Sequence, residues 1–202
     1  QMDAAEAGFT YLATGQHPSY MGFRFESAVR DRIAELTPNE KMDAIRKLES
    51  FIEFEPRLRA IAYDVEFLRM LGLLTGSPSV TMFQDMALSK PPMIGREKPW
   101  HQDCAYFNIP PDTPVVGTWI ALDDVDVKNG CMRVIPGSHK DGIVTHGESD
   151  REGNLLSINQ EIPDEYVDTS RAVDLELEAG QMSVHDEQVF HASNSNTSDR
   201  RR

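Results

Sequence analysis

The stretch Val173-Asp174-Leu175-Glu176-Leu177-Glu178 decides the fold class. Apolar and acidic side chains alternate through it, and a period of two puts them on opposite faces of an extended strand. Val115 to Leu122 is a nearly continuous apolar run, as a strand buried on both faces would be. Asn129-Gly130 is a tight-turn signal leading into Cys131-Met132-Arg133-Val134-Ile135, and Pro136-Gly137 stops that run. Before residue 78 the period is helical. Glu26 to Leu36 reads as a short helix. Thr37-Pro38-Asn39-Glu40 reads as a helix start, with Thr as cap, Pro at the first helical position and Glu closing a capping box. Met42, Ile45, Leu48 and Ile52 then give one apolar face. Leu58, Ile61, Val65, Leu68 and Leu71 give another, ended by Gly72 or Thr75-Gly76. Both stripes read as core packing. Helices first and short strands afterwards predict one α+β domain over residues 1–202, with a mainly helical part (1–77) and strands closing a barrel or jelly roll (78–202). The polar segment 140–170 reads as a long insertion of the kind that covers a site.

The formal net charge is −13, from 33 acidic and 20 basic side chains. That excludes a general nucleic-acid or anionic-membrane binder, which needs a basic surface. It leaves room for a small anionic ligand in a local basic pocket. Cys104 and Cys131 have no CxxC spacing, so free thiols in a reducing cytoplasm are expected. No apolar run approaches the ~18 residues that span a bilayer. The start at Gln1 and the end at Arg200-Arg201-Arg202 read as a piece of a longer chain, cut short at its C-terminus.

His101-Gln102-Asp103 is the first feature that carries chemistry. Alternate residues of a strand share a face, so the imidazole and the carboxylate can reach one point. They are two thirds of the facial triad of non-haem Fe(II) oxygenases. Alone the pair is easily met by chance in an acidic chain with six histidines. Downstream, His191-Ala192-Ser193 again puts two polar residues on one face, and a third ligand distant in sequence is expected where barrel strands meet. The arginines that follow meet a separate requirement. A dicarboxylate that chelates iron at one end leaves a second carboxylate, which a guanidinium binds through two hydrogen bonds and a serine through one more. A terminal arginine run is otherwise a solvated basic tail.

At these positions the sequence resembles the phytanoyl-CoA dioxygenase family. The matching elements are Lys90-Pro91-Pro92, Trp100-His101-Gln102-Asp103, Trp119, Asn129-Gly130-Cys131, Pro136-Gly137-Ser138-His139, and His191-x-Ser193 with Asn196 and a later arginine. They run from about Phe83 to Arg202. The resemblance implies a double-stranded β-helix, cupin-like, that uses Fe(II), 2-oxoglutarate and O2. It implies His101, Asp103 and His191 as iron ligands, and Arg202 with Ser193 at the far carboxylate of 2-oxoglutarate. Arg201 is the alternative if the register differs by one. Trp119 and Met86 are implied as lining residues of that pocket, with Gln84 as a polar neighbour.

In the halogenating branch of these enzymes Gly or Ala replaces the carboxylate, so Asp103 implies a hydroxylase acting on a small molecule. No basic cluster outside the tail suits the phosphates of an acyl-CoA. Tyr106, Phe107 and His139 are candidate substrate contacts, and His185 a candidate neighbour of the site. His17 and His146 receive no role. Two other classes stay open: a cupin-like metalloprotein of different chemistry, which usually gathers more histidines and lacks the distal arginine, and a non-catalytic jelly-roll binding protein.

Overall fold

The computed structural model describes residues 2–13, 15, 21–107, 109–110, 112–148 and 160–202. Part of the expected 140–170 insertion, residues 149–159, lies outside them, as does His17. The helices are α1 (Met2–Ala13), α2 (Pro38–Asp43), α3 (Pro56–Ala62) and α4 (Val65–Thr75). The strands are β1 (Gly22–Phe25), β2 (Ile45–Glu49), β3 (Met86–Leu88), β4 (Lys98–His101), β5 (Val116–Ile120), β6 (Met132–Val134), β7 (Gly147–Glu148), β8 (Gln160–Glu161), β9 (Val173–Leu175), β10 (Met182–Asp186) and β11 (His191–Ser193). They pair antiparallel in the orders β1-β2-β3, β10-β5, β4-β11-β6-β9 and β7-β8. The mixture of helices and antiparallel sheets is the expected α+β class. Both cysteines are free. Among the described residues no helix is long and apolar enough to cross a membrane.

The first 77 residues are less helical than their periodicity implies. The capping box at Thr37 forms as read, with Glu40 and Thr37 bonding reciprocally. However, α2 stops at Asp43, and the Ile45–Ile52 stripe begins with a strand. A β-bulge misled the reading. Arg24 pairs with Lys47 but Phe25 pairs with Ile45, so Arg46 is an extra residue on β2. A bulge shifts the face on which following side chains emerge. Ile45 and Leu48, three apart, therefore enter the same core cluster with Leu12, Phe51, Ile52 and Leu58. In sequence that spacing is indistinguishable from a helical i, i+3 pair. The sheet β1-β2-β3 also crosses the expected boundary at residue 78.

Three further expectations change. Residues Ser27–Glu35 form a 3-10 helix kinked at Arg32 rather than an α-helix. The Leu58–Leu71 face is split at Tyr63-Asp64, where the Asp64 side chain caps α4 by accepting from the Glu66 and Phe67 N–H groups. Gly76 in the left-handed region (φ +67°) ends α4, which holds no buried residue, so only the α3 half of that stripe is core. Strand β5 is half-buried rather than buried on both faces: Gly117 and Trp119 look into the interior described next, and Thr118 on the other face is exposed.

Candidate metal and co-substrate site

The two sheets β4-β11-β6-β9 and β10-β5 contribute facing side chains to one polar interior. His101 on β4 and His191 on β11 are direct ladder partners, and their rings lie 4.0 Å apart. Asp103 stands where β4 gives way to a 3-10 turn, Asp103–Tyr106. Its Oδ1 lies 3.7 Å from His101 Nε2 and 3.6 Å from His191 Nε2. Ligand atoms of all three residues fall within 4.8 Å of one another.

The backbone fixes which nitrogen each imidazole offers. His101 Nδ1 is 2.8 Å from the Pro99 carbonyl oxygen, and His191 Nδ1 is 3.0 Å from that of Val189. A carbonyl only accepts, so each Nδ1 carries the proton and donates it. Each Nε2 then turns a lone pair inward, as a metal ligand requires. Burial holds both imidazole pKa values below their ordinary range, so both stay neutral. Burial alone would raise the Asp103 carboxyl. The imidazoles of His191, His185 and His101 outweigh it and hold the group well below the usual carboxylate range. Two neutral nitrogens and one ionised oxygen are the protonation states that a divalent cation needs.

Gln102, between His101 and Asp103, faces the other way and is fully buried. Its amide donates to the Gly142 and Gln188 carbonyls at 2.9 and 2.8 Å, and its oxygen accepts from Val144 N–H at 2.8 Å. The Gln102 N–H donates to His146 Nε2 at 3.0 Å, and His146 Nδ1 donates to the Val144 carbonyl. His146, left without a role by the sequence, thus helps pin the 142–146 segment beside the ligands. Trp100 packs on the outer cluster of Ile135, Ile162 and Phe190.

The inner face of β5 and β10 closes the interior. Gly117 opposes His185 and Trp119 opposes Ser183. His185 Nε2 is 3.6 Å from Asp103 Oδ2, the oxygen turned away from the two ligand histidines. Gly117 makes room for it: a Cβ there would lie 2.4 Å from that same Nε2. Ser183 is a member of this face that no motif signalled. Its hydroxyl and His185 Nδ1 are buried without a partner.

The C-terminal segment brings in the last cation. Lys90 and Arg202 bond to each other's backbone in both directions. Arg202 faces inward, its guanidinium 4.8 Å over the Trp119 ring and its Nε buried without a partner. Burial, with Arg46 nearby, lowers its pKa to about 10. Arg201 faces the opposite way and bonds Asp123 at 3.3 Å. Ser193, buried on β11, lies on the same strand face as His191. The motifs around these residues are clamps. The Asn196 amide donates to the Lys90 and Arg200 carbonyls, and the Asn129 amide to those of Asp124 and Arg201. The buried Lys90 ammonium reaches the Asn194 carbonyl. Gly130, at φ +83°, leaves room for that carbonyl, since a Cβ would meet it at 2.4 Å.

The remaining expected residues are placed less centrally. The Tyr106 ring is 5.9 Å from that of His101, and its hydroxyl donates to the Gln160 carbonyl at 3.0 Å. Phe107 packs edge-on against Phe83 at 4.8 Å. Met86 on β3 and Gln84 before it are exposed. His139 is exposed on the turn after β6.

Fold and site together define an α+β protein with a His-Asp-His set placed to hold a metal ion and an inward guanidinium behind it. Residues 7–202 match the family model of Phytanoyl-CoA dioxygenase (PhyH), and the chain belongs to that family. The peroxisomal phytanoyl-CoA dioxygenase of Bos taurus is 31% identical over 168 residues, which is 82% of this chain and 48% of that protein. The chain thus spans about half the length of the curated relatives it matches. Among solved structures, EvdO2 from Micromonospora carbonacea var. aurantiaca complexed with 2-oxoglutarate aligns with a TM-score of 0.60 at 25% identity, over 77% of this chain and 62% of that one. EctD from S. alaskensis, with 2-oxoglutarate and 5-hydroxyectoine, shares the fold: the TM-score is 0.68 at 21% identity, over 100% of this chain and 63% of that one.

Proposed function

We propose that this chain is the core of an Fe(II)- and 2-oxoglutarate-dependent dioxygenase that hydroxylates a small molecule at an unactivated C–H bond, with release of succinate and carbon dioxide. The observation that carries the reading is a pairing on one inner surface. A ligand-ready His-Asp-His set lies there together with a buried guanidinium that has no carboxylate partner among the described residues. A metal ion alone does not require that guanidinium. A chelating dicarboxylate uses both features, one at each end. The orphaned buried atoms Arg202 Nε, Ser183 Oγ and His185 Nδ1 fit a polar ligand filling this interior.

In this reading His101 and His191 hold the ion through Nε2 and Asp103 through Oδ1. When bound, iron would supply the redox chemistry by which O2, the oxidant, is consumed as 2-oxoglutarate is oxidised to succinate and carbon dioxide and the C–H bond is hydroxylated. Arg202 and Ser193 hold the distal carboxylate and so set the direction of the co-substrate. Trp119 backs the guanidinium and keeps water from it. Met86 and Gln84 form the rim of the pocket, and Tyr106 and Phe107 contact the substrate. His139, exposed on its turn, is given no substrate contact. Asp103 supplies the carboxylate that the halogenating branch lacks, which supports hydroxylation. We read the two facing sheets as the halves of a double-stranded β-helix, with residues 1–202 in one domain. The test is an aerobic screen of small metabolites with Fe(II) and 2-oxoglutarate, reading succinate and hydroxylated product together. Succinate formed in step with product supports the reading. A chain that binds metal but never consumes 2-oxoglutarate would place it among cupin-like metalloproteins or non-catalytic binders instead.

A further inference from the structure

The inner face of β10 carries a row of unpartnered polar atoms that runs past the end of the strand. Ser183 and His185 are alternate residues on that face. The Glu187 N–H donates to the Val115 carbonyl at 3.3 Å, one step beyond the last strand pair, Asp186 with Val116. Alternation therefore turns Asp186 outward, where it is exposed, and puts Glu187 in line with Ser183 and His185. Glu187 is only 6% exposed, and its Oε2 is buried without a hydrogen-bond partner, as are Ser183 Oγ and His185 Nδ1.

The row has a direction. Ser183 opposes Trp119, over whose ring the Arg202 guanidinium lies. His185 comes next and meets Asp103 Oδ2 at 3.6 Å. Glu187 lies about 7 Å further along the strand, away from the Arg202 end. Its carbonyl accepts from the Cys104 N–H at 3.2 Å, which sets it against the turn that carries Tyr106. Among the described residues no ion pair engages the Glu187 carboxyl. Burial raises its pKa above the ordinary glutamate value, and the negative charges of Asp186 and Asp103 add to the shift. A covered carboxyl with no donor and two like charges nearby contributes nothing to the fold that would explain it.

We propose that the primary substrate carries a cationic nitrogen and that Glu187 binds it, on the side of the metal ligands away from Arg202. The proposal rests on the co-substrate reading above, which assigns the Arg202 end to 2-oxoglutarate. An ammonium supplies both things that this carboxylate lacks, a donor and a compensating charge. A neutral hydroxyl would supply the donor alone. The phosphates of an acyl-CoA would instead meet repulsion from Glu187, Asp186 and Asp103. The net charge of −13 also favours the approach of a cation over that of an anion.

The probes are n-butylammonium and 1-butanol, which are alike in size and differ in charge. Each is titrated anaerobically into chain loaded with Mn(II) and 2-oxoglutarate. Binding is read from paramagnetic broadening of the probe's proton resonances, with Zn(II) as the diamagnetic control. The native chain, Glu187→Gln and Glu187→Met are compared, and the melting temperature of each apoprotein is recorded. The native chain should bind n-butylammonium about 10- to 100-fold more tightly than 1-butanol, as one charge-assisted hydrogen bond would give. Both variants should lose that preference while binding 2-oxoglutarate within about twofold of native. Neither should melt below native, because each removes an unpartnered carboxylate. Equal binding of the two probes by the native chain, or a preference that survives in both variants, would overturn the proposal. So would a lowered melting temperature in both variants, which marks a structural carboxylate. A native chain that takes up Mn(II) but no 2-oxoglutarate fails the co-substrate reading instead, and the titration made before either probe is added reads that result separately.

Discussion

Lys90 and Arg202 exchange backbone hydrogen bonds in both directions, at 2.8 Å from the Lys90 N–H and 3.1 Å from the Arg202 N–H. That reciprocal pair sets which arginine of the final three looks inward. Asn196 supports it by donating to the Lys90 carbonyl at 2.9 Å and the Arg200 carbonyl at 2.6 Å. Asn196→Ala should therefore cost about 1–3 kcal/mol of stability, from buried carbonyls losing their donor. It should also weaken 2-oxoglutarate binding more than Mn(II) binding, because the triad is not touched. Urea midpoints and paired titrations check this; equal weakening of both ligands would contradict it.

Gly117→Ala drives a methyl group into His185, where the ideal Cβ is 2.4 Å from Nε2. Overpacking of this kind costs about 1–3 kcal/mol. His185 must also move away from Asp103 Oδ2, so Co(II) affinity should fall. The second change His185→Ala should relieve the clash, making the pair of substitutions far less destabilising than the sum of the singles. Additive effects in a double-mutant cycle would show that the two residues do not meet.

Gln102→Leu removes a donor from the Gly142 and Gln188 carbonyls and an acceptor from Val144 N–H. Each buried group left unpaired costs about 1–3 kcal/mol. The 142–146 segment should lose hydrogen-exchange protection before the strands do. Unchanged protection at Val144 would mean that Gln102 does not anchor it.

Much of the site was legible because its chemistry needs few residue types at fixed offsets. His101, Asp103, His191, Ser193, Trp119 and Arg202 are all found on one interior. The bulges were not legible. In β2 an extra residue lets Ile45 and Leu48 share a face, which imitated a helix. In β4 the same device sets Lys98 opposite Ser193, where simple alternation from His101 would have sent it to the other face. Sequence periodicity carries no sign of an unpaired residue in a ladder. Ser183 and His146 escaped for another reason: their roles depend on partners far away in the chain, Trp119 and Gln102, that only the tertiary structure supplies.

The pH dependence of stability follows from Lys98. Its folded pKa is about 7, against an ordinary 10.5. Below 10.5 the unfolded chain holds a proton there more readily than the folded one, so this group makes stability rise with pH between about 7 and 10.5. Lys98→Met should remove that contribution. The variant should melt higher than native at pH 7, by about 2–4 °C for each ~1 kcal/mol relieved, and the difference should shrink towards pH 10. A melting difference that grows with pH would contradict the assignment.

The most direct test of the central claim is an anaerobic titration of Fe(II) and 2-oxoglutarate, followed through the visible charge-transfer absorption that appears when a 2-oxo acid chelates ferrous iron. The native chain should develop this band with one ion and one 2-oxoglutarate bound per chain. Asp103→Ala should lose it through failure to hold iron, and Arg202→Met should require much more 2-oxoglutarate to reach it. A native chain that binds iron without a 2-oxoglutarate-dependent band, or an Asp103→Ala protein that titrates like native, would contradict the account.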